Sequence, residues 1–371
     1  MSSQATPPLE RLSALGQSVW VDFLSRDSIH SHHLQQLIDE YAVVGATSNP
    51  TIFQKAMSEG NAYDEQLHEL AGEGADLDAS FWALAERDIH DACELFRPVW
   101  ERGGGRDGYV SLEVDPRLAY DTLETYREAM RLHQTLQCPN LMVKIPATKP
   151  GLAAIEDVIA KGHSINVTLI FSLRRYSEVA ESYIRGIERL IAEGGDPSKV
   201  ASVASFFVSR IDTEADRRLE QAGAPQDLQG KLAIANAKLA YAHYQESFSG
   251  PRWEYLAGKG ATAQRVLWAS TSTKNPSYSD VLYVEELLGP DTVNTMPEET
   301  IKAYQDHGQP EPRLERDLDG ARRVFEQLEQ AGIDYEDITD TLEREGVQKF
   351  SDSFEQLLQA LSQKRSSLAV A

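Results

Sequence analysis

The sequence predicts an α/β protein folded as a closed (β/α)8 barrel, the TIM-barrel architecture, with a helical insert after the second strand and extra helices toward the C-terminal end. Three observations predict it. About eight short apolar runs alternate with helical patterns, which implies parallel strands joined by right-handed crossovers. The length of 371 residues allows one large barrel or two ordinary domains, and eight βα units fill one barrel domain. No GxGxxG follows the first strand, which counts against the rival, an open doubly wound sheet.

Residues 1–8 read as a loose tail and Leu9 to Leu15 as a short helix. Val19-Trp20-Val21-Asp22-Phe23 is the first strand, and residues 29–40 carry Ile29, His33, Leu34, Leu37 and Ile38 at helical spacing. Val43 to Pro50 is the second strand, ending in turn chemistry because Asn-Pro stops regular structure. The insert runs from about residue 53 to 107 and is mostly helical, notably from Phe81 to Trp100. Gly103-Gly104-Gly105 closes it and reads as a turn, since this run does not join a strand to a helix as a phosphate cradle would. Tyr109 to Val114 is the third strand, followed by a helix from Asp121 to Gln137.

Leu141 to Thr148 is the fourth strand and Gly151 to Lys161 its helix. The fifth strand spans Ile165 to Phe171, after which Ser172 caps a long helix to Glu193. Val200 to Val208 is the sixth strand, and Gln226 to Phe248 is helical. Arg265 to Ser270 is the seventh, with a helix from Asp280 to Leu288. Val293 to Met296 is a short eighth strand, and Pro297 opens a helix with Glu298 and Glu299 in its first turn, where the helix dipole favours anions. Two further helical stretches, about 313–331 and 336–364, are expected to pack on the barrel or cover part of its mouth.

Composition narrows the function. An apolar fraction of 41% and a charged fraction of 25% are those of a globular protein. The net charge of −22 repels nucleic acid and anionic membranes, so neither is an expected partner; a small anionic substrate stays open, because local donors act at short range. The cysteines, Cys93 and Cys138, form no CxxC, which suits a reducing cytosol and argues against a zinc site. The N-terminal residues lack a basic-then-apolar signal pattern and no apolar run approaches spanning length, so a soluble, cytoplasmic protein is expected.

The chemistry begins with Lys144. It stands alone among Leu141, Met142, Val143, Ile145 and Pro146. A lysine among apolar neighbours must snorkel out, find an anion or lose its proton, and the neutral amine is a nucleophile toward a carbonyl. Strand side chains alternate between faces. In the fourth strand Leu141, Val143 and Ile145 oppose Lys144; in the third Val110, Leu112 and Val114 oppose Ser111 and Glu113; in the first Val19, Val21 and Phe23 oppose Asp22; in the fifth Ile165, Val167 and Leu169 oppose Asn166 and Thr168. Thr47 and Asn49 fall together near the end of the second.

With the apolar phase on the outer helices, Asp22, Asn49, Glu113, Lys144, Asn166 and Thr168 point inward, in the later half of their strands where barrel sites form. Each such group left unpaired would cost about 1–3 kcal/mol, which makes a purely structural account awkward. Taken singly, each has a plain alternative. Lys144 can be an ion-pair partner of Glu113 or Asp22, the two acids can cap loops, and Asn49 can be turn chemistry before Pro50. Their shared phase and shared strand end favour a site. A desolvated lysine with two carboxylates suits a Schiff-base mechanism, one acid moving protons during imine formation and the other taking a hydroxyl proton as a carbon–carbon bond breaks.

A second constellation lies downstream. Ser205 with Arg210 ends the sixth strand, and Ser270 with Lys274 ends the seventh; hydroxyls beside Arg or Lys suit a phosphate. Arg210 is out of phase with Ser205, so it serves only if the strand has ended before it, and its alternative is a salt bridge to Asp212 or Glu214. Lys274 can be a solvated loop residue. His30, His32 and His33 cluster in sequence, but a helix turns adjacent histidines to different faces, and no HExxH, EF-hand loop or GxSxG occurs.

Five ordered segments resemble the transaldolase family: residues 45–53 (GATSNPTIF), 110–115 (VSLEVD), 143–148 (VKIPAT), 165–172 (INVTLIFS) and 205–210 (SFFVSR). The resemblance implies transfer of a dihydroxyacetone unit from sedoheptulose 7-phosphate to glyceraldehyde 3-phosphate, giving erythrose 4-phosphate and fructose 6-phosphate in the pentose phosphate pathway. It implies that Lys144 forms the Schiff base, that Glu113 acts through a water held by Thr168, and that Asp22 is the base for the donor's C4 hydroxyl. Asn49 and Asn166 then bind substrate hydroxyls, with Thr47 beside them, and Ser205 and Arg210 contact donor or phosphate. Where shorter members place an arginine soon after the seventh-strand serine, this chain has Ser-Thr-Ser-Thr-Lys, so Lys274 takes the phosphate with Ser270 beside it. The insert and the extra helices resemble a longer bacterial subgroup. No metal or organic cofactor is implied, and the chain is expected to work as a monomer or homodimer. The rivals are a fructose 6-phosphate aldolase of the same superfamily, members of which are shorter and tend to lack the acid seen as Glu113, and a non-catalytic sugar-phosphate binder, which the intact Asp22, Glu113 and Lys144 set opposes. A pyridoxal-phosphate enzyme also uses a lysine imine, but nothing in the sequence supplies that cofactor's other contacts.

Overall fold

A computed structural model describes residues 6–368. The strands are β1 (Gln17–Val21), β2 (Val43–Thr47), β3 (Val110–Glu113), β4 (Leu141–Pro146), β5 (Ile165–Ile170), β6 (Ser202–Phe207), β7 (Arg265–Ala269) and β8 (Thr292–Met296). All pair in parallel, in sequence order, and β8 returns to β1 to close the barrel. Closure follows from the pattern of the chain: every strand residue except Val44 is buried, and each strand is followed by a helix that covers the outer face.

Register then aligns the polar phase. Glu113 stands opposite Lys144, Lys144 opposite Asn166, and Pro146 opposite Thr168. Consecutive strands therefore deliver these side chains at one height. A hydrogen-bond chain crosses the interior at that level: Ser205 Oγ donates to Asn166 Oδ1 at 2.7 Å, and Asn166 Nδ2 donates to Ser111 Oγ at 3.0 Å.

Several expectations are corrected. β1 ends at Val21, so Asp22 lies just beyond it, its amide donating to Met296 O. β2 ends at Thr47, and the insert begins at once with a helix over Pro50–Ser58. The pattern over 29–40 resolves into two helices, Arg26–His30 and His33–Glu40, broken where His32 turns to φ 63°. Helices at Ser209–Ala222 and Gly250–Ala257 were not expected, and the helix after the first of them starts at Leu232 rather than Gln226. The tail expected over 1–8 gives way at Pro8 to the first helix, and residues 1–5 lie outside the described part.

The insert continues with helices Asp64–Gly72 and Leu77–Arg102. Its far end is pinned to the barrel floor by Asp107, which accepts from Ser18 Oγ at 2.8 Å and pairs with Arg265 at 2.9 Å. Its near end is tied by a buried ion pair, Arg26 Nε to Asp88 at 2.8 Å, with Tyr63 donating to the same carboxylate. A long C-terminal helix, Tyr335–Leu368, packs along the Pro50–Ser58 helix and reaches the end of β5. Gly346 makes that approach possible: a Cβ there would stand 3.0 Å from Leu169 Cδ2. Leu169 itself has φ 60°, at the irregularity in the β5–β6 ladder.

Candidate active site

The strand ends and the two added helical elements enclose a cavity of about 360 Å³ at the C-terminal mouth of the barrel. Of the expected residues, Asp22, Thr47, Asn49, Lys144, Thr168, Ser205, Arg210, Ser270 and Lys274 all line it. A larger cavity, about 920 Å³, opens at the opposite end and is lined by none of them.

Lys144 is 5% exposed, at the depth of the mouth. Its Nζ donates to Ser48 O at 2.9 Å and lies 3.3 Å from Glu113 Oε2. The backbone carbonyl fixes the direction of the amine, and the acid sits within proton-transfer reach. The ion pair foreseen as a plain alternative is thus present, but it does not satisfy the acid. Both Glu113 oxygens, although buried, lack a well-directed hydrogen bond from the protein, as does Thr168 Oγ1. Glu113 borders a tight apolar gap made by Phe53, Phe81 and Trp82 of the insert and Phe354 of the C-terminal helix. Burial there pushes its carboxyl up to about 7, against the opposing pull of Lys144.

Asp22 is the second acid. Thr47 Oγ1 donates to its Oδ1 at 2.9 Å, and Thr295 Oγ1 stands 2.9 Å from the same Thr47 hydroxyl. Burial raises its pKa, while Lys144, Thr47, Arg210 and Lys274 pull it down. The two acids therefore sit in different surroundings, one in an apolar wall and one in a polar, cationic mouth, which is the condition for dividing proton-transfer roles.

Asn49 has a double position. It lines the cavity, and its Oδ1 also accepts from Ile52 N at 3.0 Å as the N-cap of the Pro50–Ser58 helix, so the plain capping reading holds alongside. Asn166 differs from expectation. It is fully buried, is bonded to Ser111 and Ser205, and does not line the cavity, so it orients Ser205 from below.

The phosphate candidates also resolve. β6 ends at Phe207 and the next helix starts at Ser209, which frees Arg210 from strand phase. Its guanidinium lies over the Phe207 ring at 5.1 Å, and no carboxylate pairs with it among the described residues. Asp212 instead accepts from Ala233 N and Tyr283 Oη, and Glu214 pairs with Arg217 and Arg218. Ser270, at φ 58°, meets Ser209 Oγ at 2.9 Å, and Lys274 is exposed, donating to Ser272 Oγ at 2.7 Å. Sequence reasoning missed Lys55 and Lys349, which join the same cavity from the insert and the C-terminal helix. The histidines diverge as expected, His33 reaching Glu298 at 2.8 Å and His30 reaching Asp91 at 3.7 Å.

A closed barrel with a buried lysine beside an acid at its C-terminal mouth places the protein among (β/α)8 enzymes that work through a lysine imine. Comparison with known proteins narrows the class. The model of the transaldolase/fructose-6-phosphate aldolase family matches residues 19–361, and the chain belongs to that family. It is 53% identical to a transaldolase of Saccharopolyspora erythraea over 96% of this chain and 97% of that one. It is 52% identical to a transaldolase of Mycobacterium marinum over the full length of both, and 50% identical to one of Frankia alni over 96% and 97%.

Proposed function

We propose that the protein is a transaldolase whose Lys144 carries a dihydroxyacetone unit from sedoheptulose 7-phosphate to glyceraldehyde 3-phosphate. The observation that carries this reading is the placement of Lys144 Nζ 3.3 Å from an acid whose oxygens have no other protein partner. Family membership and full-length identity to named transaldolases support it.

This reading implies the following steps. The neutral amine of Lys144 adds to the ketose carbonyl. Glu113, its carboxyl pushed up to about 7, supplies the proton with which the carbinolamine hydroxyl leaves as water, and the iminium forms. A water between Glu113 and Thr168 Oγ1 completes the bonding of both and relays that proton. Asp22 then takes the proton of the C4 hydroxyl as the C3–C4 bond breaks. The electron pair passes into the iminium as an enamine, and erythrose 4-phosphate leaves. The enamine carbon attacks the aldehyde of glyceraldehyde 3-phosphate, Asp22 returns its proton, and hydrolysis of the new iminium releases fructose 6-phosphate. Ser205 and Asn49 hold substrate hydroxyls, and Arg210, with Ser270 and Lys274, meets the phosphate.

The insert and C-terminal helix complete the site within one barrel domain. The protein works as a monomer or homodimer. A cytoplasmic location fits the strongly acidic surface and the free, buried Cys93 and Cys138. Among the described residues no helix is long and apolar enough to cross a membrane.

Borohydride added with fructose 6-phosphate should fix a three-carbon adduct on Lys144, located by peptide mass spectrometry. Transfer by Lys144→Ala at a near-normal rate would rule the mechanism out. A coupled assay with and without aldehyde separates the rival activity: turnover that needs an acceptor is transfer, and free dihydroxyacetone is aldol cleavage.

A further inference from the structure

The protein is strongly acidic, yet the sign of charge reverses at the barrel mouth. Lys55, Arg210, Lys274 and Lys349 line one cavity, with Asp22 and Glu299 as its acids. Lys349 is the most distant in origin, because it follows all eight barrel strands. It stands on the C-terminal helix one turn beyond Gly346, where the missing side chain lets that helix approach Leu169 at the end of β5. Phe350, the next residue, lines the same cavity, and one turn further Ser353 Oγ meets Thr51 Oγ1 at 2.8 Å. These contacts fix the rotation of the helix about its axis, and with it the side that Lys349 presents.

Lys349 lacks the partner its helix offers. Glu345 precedes it by four residues, the spacing at which Glu and Lys normally pair. No carboxylate lies within ion-pair distance of Lys349 among the described residues, and the charge of Glu345 acts on Arg217. What Lys349 does feel is positive. Its pKa is lowered first by Arg210, then by burial, then by Lys274. Three cations from separate elements thus converge on one cavity in which Asp22 acts on Arg210 and Lys274 but no acid acts on Lys349, and a multiply charged anion is the ligand that would offset the remaining repulsion.

We infer that Lys349 contacts the phosphate of the bound sugar phosphate together with Arg210 and Lys274, so that a helix outside the barrel sets selectivity for phosphorylated substrates. This inference rests on the sugar-phosphate reading above. Lys349 is solvent-facing, so its substitution leaves the helix packing intact.

The test compares wild type, Lys349→Gln and Lys349→Arg with glyceraldehyde 3-phosphate and with unphosphorylated glyceraldehyde as acceptors. Losing a charge-assisted contact should lower the ratio of the two kcat/KM values about tenfold or more in Lys349→Gln, chiefly through KM. Lys349→Arg should restore most of it, and competitive inhibition by inorganic phosphate should weaken in step with the ratio. An unchanged ratio overturns the inference, as does an equal loss with both acceptors, which is what disturbed packing would produce. If wild type shows neither acceptor-dependent transfer nor a borohydride adduct, the transaldolase reading fails on its own. Calorimetric titration of wild type and Lys349→Gln with inorganic phosphate then decides the anion site: weaker binding by the variant supports it, and equal binding overturns it.

Discussion

Replacing Glu113 by glutamine removes an ionisable group at constant shape, and the structure sets two effects of opposite sign. The carboxyl is pushed from an ordinary 4.5 up to about 7, because it is walled in by Phe53, Phe81, Trp82 and Phe354. That displacement corresponds to about 3 kcal/mol of preference for the neutral acid in the fold. The folded protein keeps this proton at pH values where the unfolded chain has lost it. The stability contributed by the group is therefore fully present below pH 4.5 and is lost as pH rises through 7. Glutamine resembles the protonated acid at every pH. The variant should gain on wild type by less than about 1 kcal/mol near pH 5 and by about 3 kcal/mol above pH 8, roughly 4 °C in Tm for a chain of this length. Activity should move the other way: imine formation loses its proton shuttle and slows about 10²–10⁴-fold. Thermal melts at the two pH values, with borohydride-trapping rates on the same preparations, measure both. A variant less stable than wild type at pH 8, or one that forms the imine at the wild-type rate, would refute the account of Glu113 as an acid kept neutral by its dry wall.

Two further outcomes test the frame around the site. Gly108, at φ 85°, leaves the insert where a Cβ would come within 2.3 Å of Trp100 N, so Gly108→Ala should cost about 3 kcal/mol or more; a melting temperature within a degree of wild type would contradict this. His133 donates from Nε2 to Ser164 O at 3.1 Å and stacks on His163, and burial followed by the neighbouring imidazole lowers its pKa to about 3. The unfolded chain takes up this proton below about pH 6.5 while the fold does not, so the stability His133 contributes is present above that pH and lost as pH falls toward 3. Between pH 7.5 and 5, His133→Gln should lose about 2 kcal/mol less than wild type in urea titrations; parallel losses would show that another group dominates.

The lysine, Glu113 and the hydroxyls beside them were legible because a barrel strand gives a residue only two directions, and Asp22 reaches the same mouth from one residue past the end of β1. Once the apolar phase is assigned outward, the polar phase has one place to go, and the parallel register stacks Glu113, Lys144 and Asn166 at one height. The same reasoning left Arg210 undecided, since its usefulness depended on where β6 stopped, and strand ends are set by hydrogen bonding that the side-chain pattern does not display. The helix containing Arg210 was not foreseen, its apolar face being a thin stripe of Ile211, Ala215 and Leu219 in a highly charged segment. Lys55, Lys349 and Phe354 could not be found by phase at all. They lie on helices outside the barrel, whose rotation about their own axes is set by tertiary contacts such as Gly346 against Leu169.

The contact between Thr51 and Ser353 joins residues 302 positions apart. A chain emerging from the ribosome has β4 and its lysine long before it has the helix that dries Glu113. Most barrel strands pair with the next strand in sequence, whereas the β8–β1 closure and this contact each bear the full entropy of a distant encounter. Glu113 thus gains the Phe354 side of its dry wall only when the C-terminal helix docks.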